Sequence, residues 1–401
     1  MNPAGIYISI PFCRQKCSYC NFASDVHASS LLPRYLNALA AEITQRSELW
    51  KKAGVPGWED IRVDTIYMGG GTPGLLDFGQ LSELLRAVRT SFDVEEDAEI
   101  TIEASPENVT PSSAAAWAAS GVNRLSLGVQ SMVREELRAV GRMHDAATVA
   151  EACRSLRTAG IHNISGDLIA GLPYQTAESW ESSLQSLLAL DLAHLSIYML
   201  EVDDDSRLGR EMMESGSRYH AGEVPSEERV ADFYCTAMEL LHAAEFEHYE
   251  ISNFARPGKV SRHNLKYWTH APYFGFGVDA HSYDGERRWA NTDSLGAYLD
   301  LMEKGESPVV DLKLLCAREK REERLFLGLR RREGVSLSQL DAELAADIGH
   351  GTELSAAARY AEPIREFCQA RWLAVEGDRL RLTDQGVLFS NEVFAGFLEE
   401  K

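Results

Sequence analysis

From the N-terminus to residue 200 the chain repeatedly changes its hydrophobic period. Short apolar runs rich in β-branched residues, at 6–10, 64–68, 100–104, 124–129, 164–169 and 195–200, read as strands. Between them lie stretches of helical length with one apolar face, such as LLPRYLNALAAEITQRSELW, QLSELLRAVRTSF, TVAEACRSLRTAG and TAESWESSLQSLLAL. Thr110-Pro111 marks a helix start, because proline is tolerated in a first turn, and Gly160 marks a helix end. Strand–helix alternation at about 30 residues per unit predicts βαβ units and a parallel sheet. Six such units predict an incomplete TIM-like barrel, (β/α)6, short of the eight of a closed one. A doubly wound sheet shares this periodicity and stays open at this point.

Beyond residue 225 the rhythm breaks. A helix near 228–244 precedes YEISNFARPGKVSRHNLKYWTHAPYFGFGVDAHSYDGERRW, a stretch dense in Gly, aromatic and His residues that reads as loop-rich. The rest reads as three helices, a β-hairpin around Glu376-Gly377-Asp378 and a final helix, the outline of a small, mainly helical, winged-helix-like domain. Three regions are therefore expected: a partial barrel over 1–225, a loop-rich extension over 226–304 and a C-terminal domain over 305–401.

Composition narrows the class. At 401 residues the chain can bury a core without covalent staples. Four of its seven cysteines, Cys153, Cys235, Cys316 and Cys368, are scattered singly and read as small packing residues of a reduced, cytoplasmic protein. A formal net charge of −21 argues against a nucleic-acid binder. The opening MNPAGIYISI does not read as a signal peptide, and no apolar run approaches the ~20 residues of a membrane span.

In a parallel barrel the chemistry sits where strands end. After the first strand stand Cys13, Cys17 and Cys20, spaced C-x3-C-x2-C; after the second, Gly69-Gly70-Gly71-Thr72-Pro73. The third ends in Glu103 and the fourth in Gln130, with Arg142 beyond it. Asp167 lies in the fifth, and the sixth ends in Glu201. Six apolar strands that each end in a polar, glycine or thiol residue build one polar rim.

Each element has a plainer reading beside the functional one. Three close thiols can belong to a zinc site, with His27 the only nearby fourth ligand; an iron–sulfur cluster with one iron left open uses the same three. GGGTP can be an ordinary turn or a backbone cradle for a ligand. Glu103 and Asp167 can be helix caps or solvated loop acids.

YISIPFC with C-x3-C-x2-C, followed by GGGTP, Glu103, GVQ and DLIAGLP, resembles the radical S-adenosylmethionine (SAM) superfamily along nearly the whole chain. Within it, the resemblance is to the branch holding oxygen-independent coproporphyrinogen III dehydrogenases and the HemW haem chaperones. The resemblance implies a [4Fe–4S] cluster on Cys13, Cys17 and Cys20, with SAM as the fourth ligand. It also implies Tyr7 beside the cofactor, Gly70, Gly71 and Thr72 at the methionine end, and Glu103 at the ammonium. Arg142 would meet the carboxylate, and Gln130 and Asp167 the ribose.

The dehydrogenases resemble C-x3-C-x2-C-x-C with a longer N-terminal segment. Here Phe22 stands where the further cysteine would be, and six residues precede Tyr7. HNLKYW, from His263 to Trp268, matches the HNxxYW signature of HemW-like proteins. It implies haem at His263, Asn264, Tyr267 and Trp268, with the imidazole as a candidate axial ligand and the rings as flat faces. A buried hydrogen-bonding role for the histidine is the alternative. The expected function is haem binding and delivery to acceptor haemoproteins, membrane respiratory enzymes among them; the alternative is coproporphyrinogen III dehydrogenation. Homodimer formation leaves no clear mark. KREERLFLGLRRREG reads as a helix closed by Arg330, Arg331 and Arg332, which favour its dipole; contact with anionic lipid at the inner membrane face is the alternative.

Overall fold

The computed structural model describes residues 3–28, 30–58, 60–348 and 355–398. Strands β1 (Ala4–Ile10), β2 (Arg62–Gly70), β3 (Asp93–Ala104), β4 (Arg124–Gln130), β5 (Asn163–Ala170) and β6 (His194–Met199) lie side by side in chain order, each parallel to the next. An order without reversal excludes the doubly wound alternative, whose strand order switches direction at the ligand crevice. The result is the expected partial barrel. Helices Leu31–Thr44, Phe78–Ser91, Pro111–Ser120, Ala146–Thr158 and Ala177–Leu188 connect the strands. Three of these starts are fixed by reciprocal caps, Asp77 with Gln80, Thr110 with Ser113 and Thr176 with Ser179, which satisfy otherwise orphaned N–H groups.

The two faces of the sheet differ in chemistry. One carries Ile6, Ile8, Ile66, Met68, Ile102, Leu125, Leu127, Ile164 and Leu195, all fully buried in the hydrophobic core. The alternate positions carry Tyr7, Thr65, Tyr67, Thr101, Glu103, Arg124, Ser126, Ser165, Asp167, His194 and Ser196. The register sets these opposite one another across neighbouring strands. The barrel thus has a polar lumen.

The stretch expected to be loop-rich is built instead of short strands and a helix. β7 (Glu247–Glu250) and β8 (Asn253–Ala255) add antiparallel beside β6. β9 (Tyr273–Phe276) pairs parallel with β1, and β10 (His281–Tyr283), β11 (Arg287–Asn291) and β12 (Val309–Leu314) continue outward, giving a 12-stranded sheet. HNLKYW lies on the helix Arg262–Trp268, not in a loop. Glu42, on Leu31–Thr44, ties this extension to the barrel. It accepts from the Tyr298 hydroxyl at 2.6 Å, Asn291 Nδ2 at 2.7 Å and the Gly277 N–H at 2.9 Å. At the outer edge, β12 leaves Val310, Leu312 and Leu314 exposed. Its Asp311 has φ +54°, and its pairing with β11 slips between Arg288 and Ala290.

The C-terminal unit places helices Ala317–Leu329, Leu337–Ile348 and Ala361–Gln369 against a three-stranded sheet of β13 (Val335–Ser336), β14 (Leu373–Glu376) and β15 (Arg379–Leu382), in the order β13-β15-β14. The expected hairpin turns at Gly377, where φ is +63°. The single final helix expected is two short ones, Asp384–Leu388 and Ser390–Ala395. The arginines considered for lipid contact are engaged by protein. Arg330 lies over the Trp268 ring at 4.2 Å and 3.8 Å from Glu250, Arg331 pairs with Glu333, and Arg332 pairs with Asp384. Among the described residues, no helix is long and apolar enough to cross a membrane.

Candidate functional site

At the C-terminal ends of β1–β6 a cavity of about 720 Å³ opens. Cys13, Cys17 and Cys20 line it, as do Gly70, Gly71 and Thr72; Glu103, Gln130 and Asp167 face it from β3, β4 and β5, and Arg142 from just beyond the helix Arg134–Ala139. The cysteines sit on a loop closed by backbone bonds from Cys13 N–H to Asp25 and from Asp25 N–H to Pro11. Ser18 anchors that loop by donating its N–H to Val140 and accepting from the N–H of Leu208. Burial pushes the Cys13 thiol up, and the Ser24 and Thr72 hydroxyls oppose the shift. Among the described residues no three His, Cys, Asp or Glu groups converge on a single-ion site, and no fourth thiol lines the cavity. His27 does not line that cavity; its ring packs edge-on against Phe12 at 5.4 Å, which leaves a zinc site there without its fourth ligand.

The glycine loop is locked to β1: Gly71 N–H donates to Ile10 and Thr72 N–H to Phe12, both at 2.9 Å. A Cβ on Gly71 would stand 2.7 Å from the Ile10 carbonyl oxygen, so close backbone packing by itself requires glycine there. Gly70, at φ +100°, turns the chain beside the cavity. Gln130 ends β4 at φ +66°, a left-handed conformation unusual for a side-chain-bearing residue and characteristic of ligand clamps.

Glu103 is half-buried, and its Oε1 accepts from the Tyr67 hydroxyl at 2.7 Å. Burial drives its carboxyl up to about 7 against that hydrogen bond, and Asp167 adds to the rise. Asp167, also raised by burial, accepts from Ser126 at 3.0 Å and Ser165 at 3.2 Å. Arg142 donates to the Tyr19 hydroxyl at 2.9 Å and to Ser105 Oγ at 2.9 Å. Tyr7 lies below the cavity with its ring stacked on Tyr67, centroids 6.1 Å apart. Tyr19, Tyr67, Ser105, Ser126 and Ser165 were not picked out by the motifs. The alternation of polar and apolar residues within each strand was the signal for Tyr67, Ser126 and Ser165.

HNLKYW is elsewhere. His263 shares hydrogen bonds with Thr65 Oγ1 and the Tyr267 hydroxyl, each at 2.9 Å, so both ring nitrogens are occupied. Thr65 stands five residues before Gly70 on β2, about 17 Å away at ~3.3 Å per residue. The imidazole therefore plugs the opposite end of the barrel. It is 1% exposed, and burial, then Lys266 and Arg124, drives its pKa down to about 3. Asn264 donates its N–H to the capping Ser261, and Trp268 lies under Arg330.

A family model described as the Radical SAM superfamily matches residues 7–187, and one described as the HemN C-terminal domain matches 315–389. The haem chaperone HemW of Bacillus subtilis is 35% identical over 398 residues, covering 98% of this chain and 99% of that protein. HemW of Lactococcus lactis is 32% identical, covering 99% and 97%. The chain belongs to the HemW family of radical SAM proteins. The solved structure described as coproporphyrinogen III oxidase (HemN) from Escherichia coli, at 23% identity, superposes with a TM-score of 0.83 over 98% of this chain and 90% of that one, which establishes a shared fold.

Membership in the radical SAM superfamily implies a [4Fe–4S] cluster and SAM. The residues present fit both. Three thiols face one cavity with no fourth, and the same cavity holds a glycine cradle, an acid held by the Tyr67 hydroxyl and a guanidinium.

Proposed function

We propose that this protein is a haem chaperone of the HemW type, which binds haem and passes it to acceptor haemoproteins, with a cluster and SAM held at the open end of its barrel. The observation that carries the reading is the full-length similarity to HemW of Bacillus subtilis together with an intact polar rim. Cys13, Cys17 and Cys20 would hold the cluster. Gly70, Gly71 and Thr72 would cradle the methionine end of SAM above Tyr7, Glu103 would accept from its ammonium, and Arg142 would donate to its carboxylate. Gln130 and Asp167 would receive the ribose hydroxyls. Bound together, these groups supply low-potential one-electron chemistry at a sulfonium. The protein's part is to orient SAM, screen it from water and keep Glu103 charged.

At His263, haem ligation requires the imidazole to give up Thr65 or Tyr267, so it entails movement of the Arg262–Trp268 helix. An anaerobic haem titration of the cluster-reconstituted chain tests the function, with His263→Ala in parallel. Saturable binding by the parent chain is expected, weakened in the variant if HNLKYW is the haem site. No saturable binding by the parent chain overturns the reading. Protoporphyrinogen formation from coproporphyrinogen III in an anaerobic assay would establish the dehydrogenase instead.

A further inference from the structure

One side chain spans the lumen between the two ends. Tyr67 donates to Glu103 Oε1 at its upper side, while its ring lies 5.2 Å from the His263 imidazole at an interplanar angle of 27°. It also stacks on Tyr7, whose ring lies 6.5 Å from the His263 ring, so the three rings form one cluster. His263 is itself fixed at both nitrogens and by its N–H, which donates to Glu99 Oε1 at 3.1 Å. The phenol thus packs against two rings, one of them on the HNLKYW helix.

Glu103 depends on this contact more than its neighbour Asp167 does. Asp167 is held by the hydroxyls of Ser126, Ser165 and Ser196, whereas Glu103 has the Tyr67 hydroxyl and the Gly70 N–H. The other groups facing it are Tyr7 from β1, Arg124 from β4, Asp167 from β5, Tyr198 from β6 and Tyr267 from the Arg262–Trp268 helix. We propose that Tyr67 is the positioning residue for Glu103, and that the HNLKYW helix acts on SAM binding through it from the far end of the barrel. This rests on the reading that Glu103 meets the ammonium of SAM. The hydroxyl pins Oε1 and, with the Gly70 N–H, fixes how the carboxylate faces the cavity. It also favours the charged form in a site where burial opposes charge.

SAM affinity of the cluster-reconstituted full chain, measured by equilibrium dialysis across pH with iron per chain as the control, tests this. Tyr67→Phe keeps the stacked ring and removes only the donor. Binding about tenfold weaker at neutral pH is expected, as for loss of a hydrogen bond to a charged group. The acidic limb should move to higher pH, because the carboxyl loses a group that lowers its pKa. His263→Gln, which keeps polar atoms but loses the ring, should shift both in the same direction by about threefold, a fraction of that same bond. In a Glu103→Gln background, Tyr67→Phe should have little further effect. An unchanged affinity and pH profile in Tyr67→Phe, or a full loss that persists in the Glu103→Gln background, overturns the positioning role. Wild-type binding by Glu103→Gln alone overturns the ammonium reading instead. A silent His263→Gln beside a weakened Tyr67→Phe removes the helix from the relay.

Discussion

The two ends of the barrel use the same six strands to opposite effect. At the open end Glu103, Arg142 and Asp167 line a cavity, Gln130 is held in a left-handed conformation and three thiols face the same space. At the closed end charge is matched within the protein. Lys266 Nζ meets Asp64 Oδ1 at 2.5 Å and the Pro3 carbonyl at 2.7 Å. The two oxygens of Glu99 accept the N–H groups of Arg262 and His263. Polar residues alone therefore do not mark a site; what distinguishes the open end is that its polar groups line a cavity. The C-terminal ends of barrel strands serve chemistry and the N-terminal ends serve stability.

The sharpest break in this comparison is expected from Cys13→Ala. Iron and sulfide bound after reconstitution should fall close to nothing while the denaturation midpoint of the unreconstituted chain stays put; normal iron loading would remove the cluster from this loop. The converse change is Glu99→Ala. It strips two buried N–H groups of their acceptor at the closed end and should cost about 2–3 kcal/mol in urea unfolding with iron loading unchanged. A loss of iron with no loss of stability would reverse the roles of the two ends.

Glu42 gives a subtler contrast, since its carboxyl is fully partnered yet burial pushes it up to about 7. An acid whose folded pKa is raised above the unfolded ~4.3 contributes stability that is complete below about pH 4 and lost as pH rises through 7. The parent chain should therefore be less stable at pH 8 than at pH 5, and Glu42→Gln should reduce that slope in a series of denaturant titrations. An identical slope in the variant would show that the carboxyl does not titrate there. The smallest effect belongs to Cys316→Ser. The residue is an exposed helix N-cap, so serine should preserve iron loading and change stability by less than ~0.5 kcal/mol.

Much of this contrast was legible in the chain itself. The six parallel strands announced themselves because each is a β-branched run between helices, and the rim residues because each closes such a run. β3 begins well before its apolar portion, at Asp93. The charged DVEEDA segment lacks an apolar pattern, yet its first residues pair with the start of β2. The strands β7–β11 escaped because they are three to five residues long, rich in aromatics, and form on edges already supplied by β6 and β1. HNLKYW reads as a motif within a loop-rich stretch but lies on a helix. Nothing local shows that Thr65, more than 160 residues earlier, shares a hydrogen bond with its imidazole, or that Glu99 accepts the His263 N–H.

The outer edge of the sheet carries a last consequence. A row of twelve strands ending in exposed Val310, Leu312 and Leu314 offers a neighbouring molecule a template for further growth. Asp311, in its left-handed conformation, interrupts the row of N–H and C=O groups midway, and the slipped register bends what remains. Lys313 sets a charge beside the break. One kinked residue thus lets the chain keep so wide a sheet without presenting a straight edge for polymerisation.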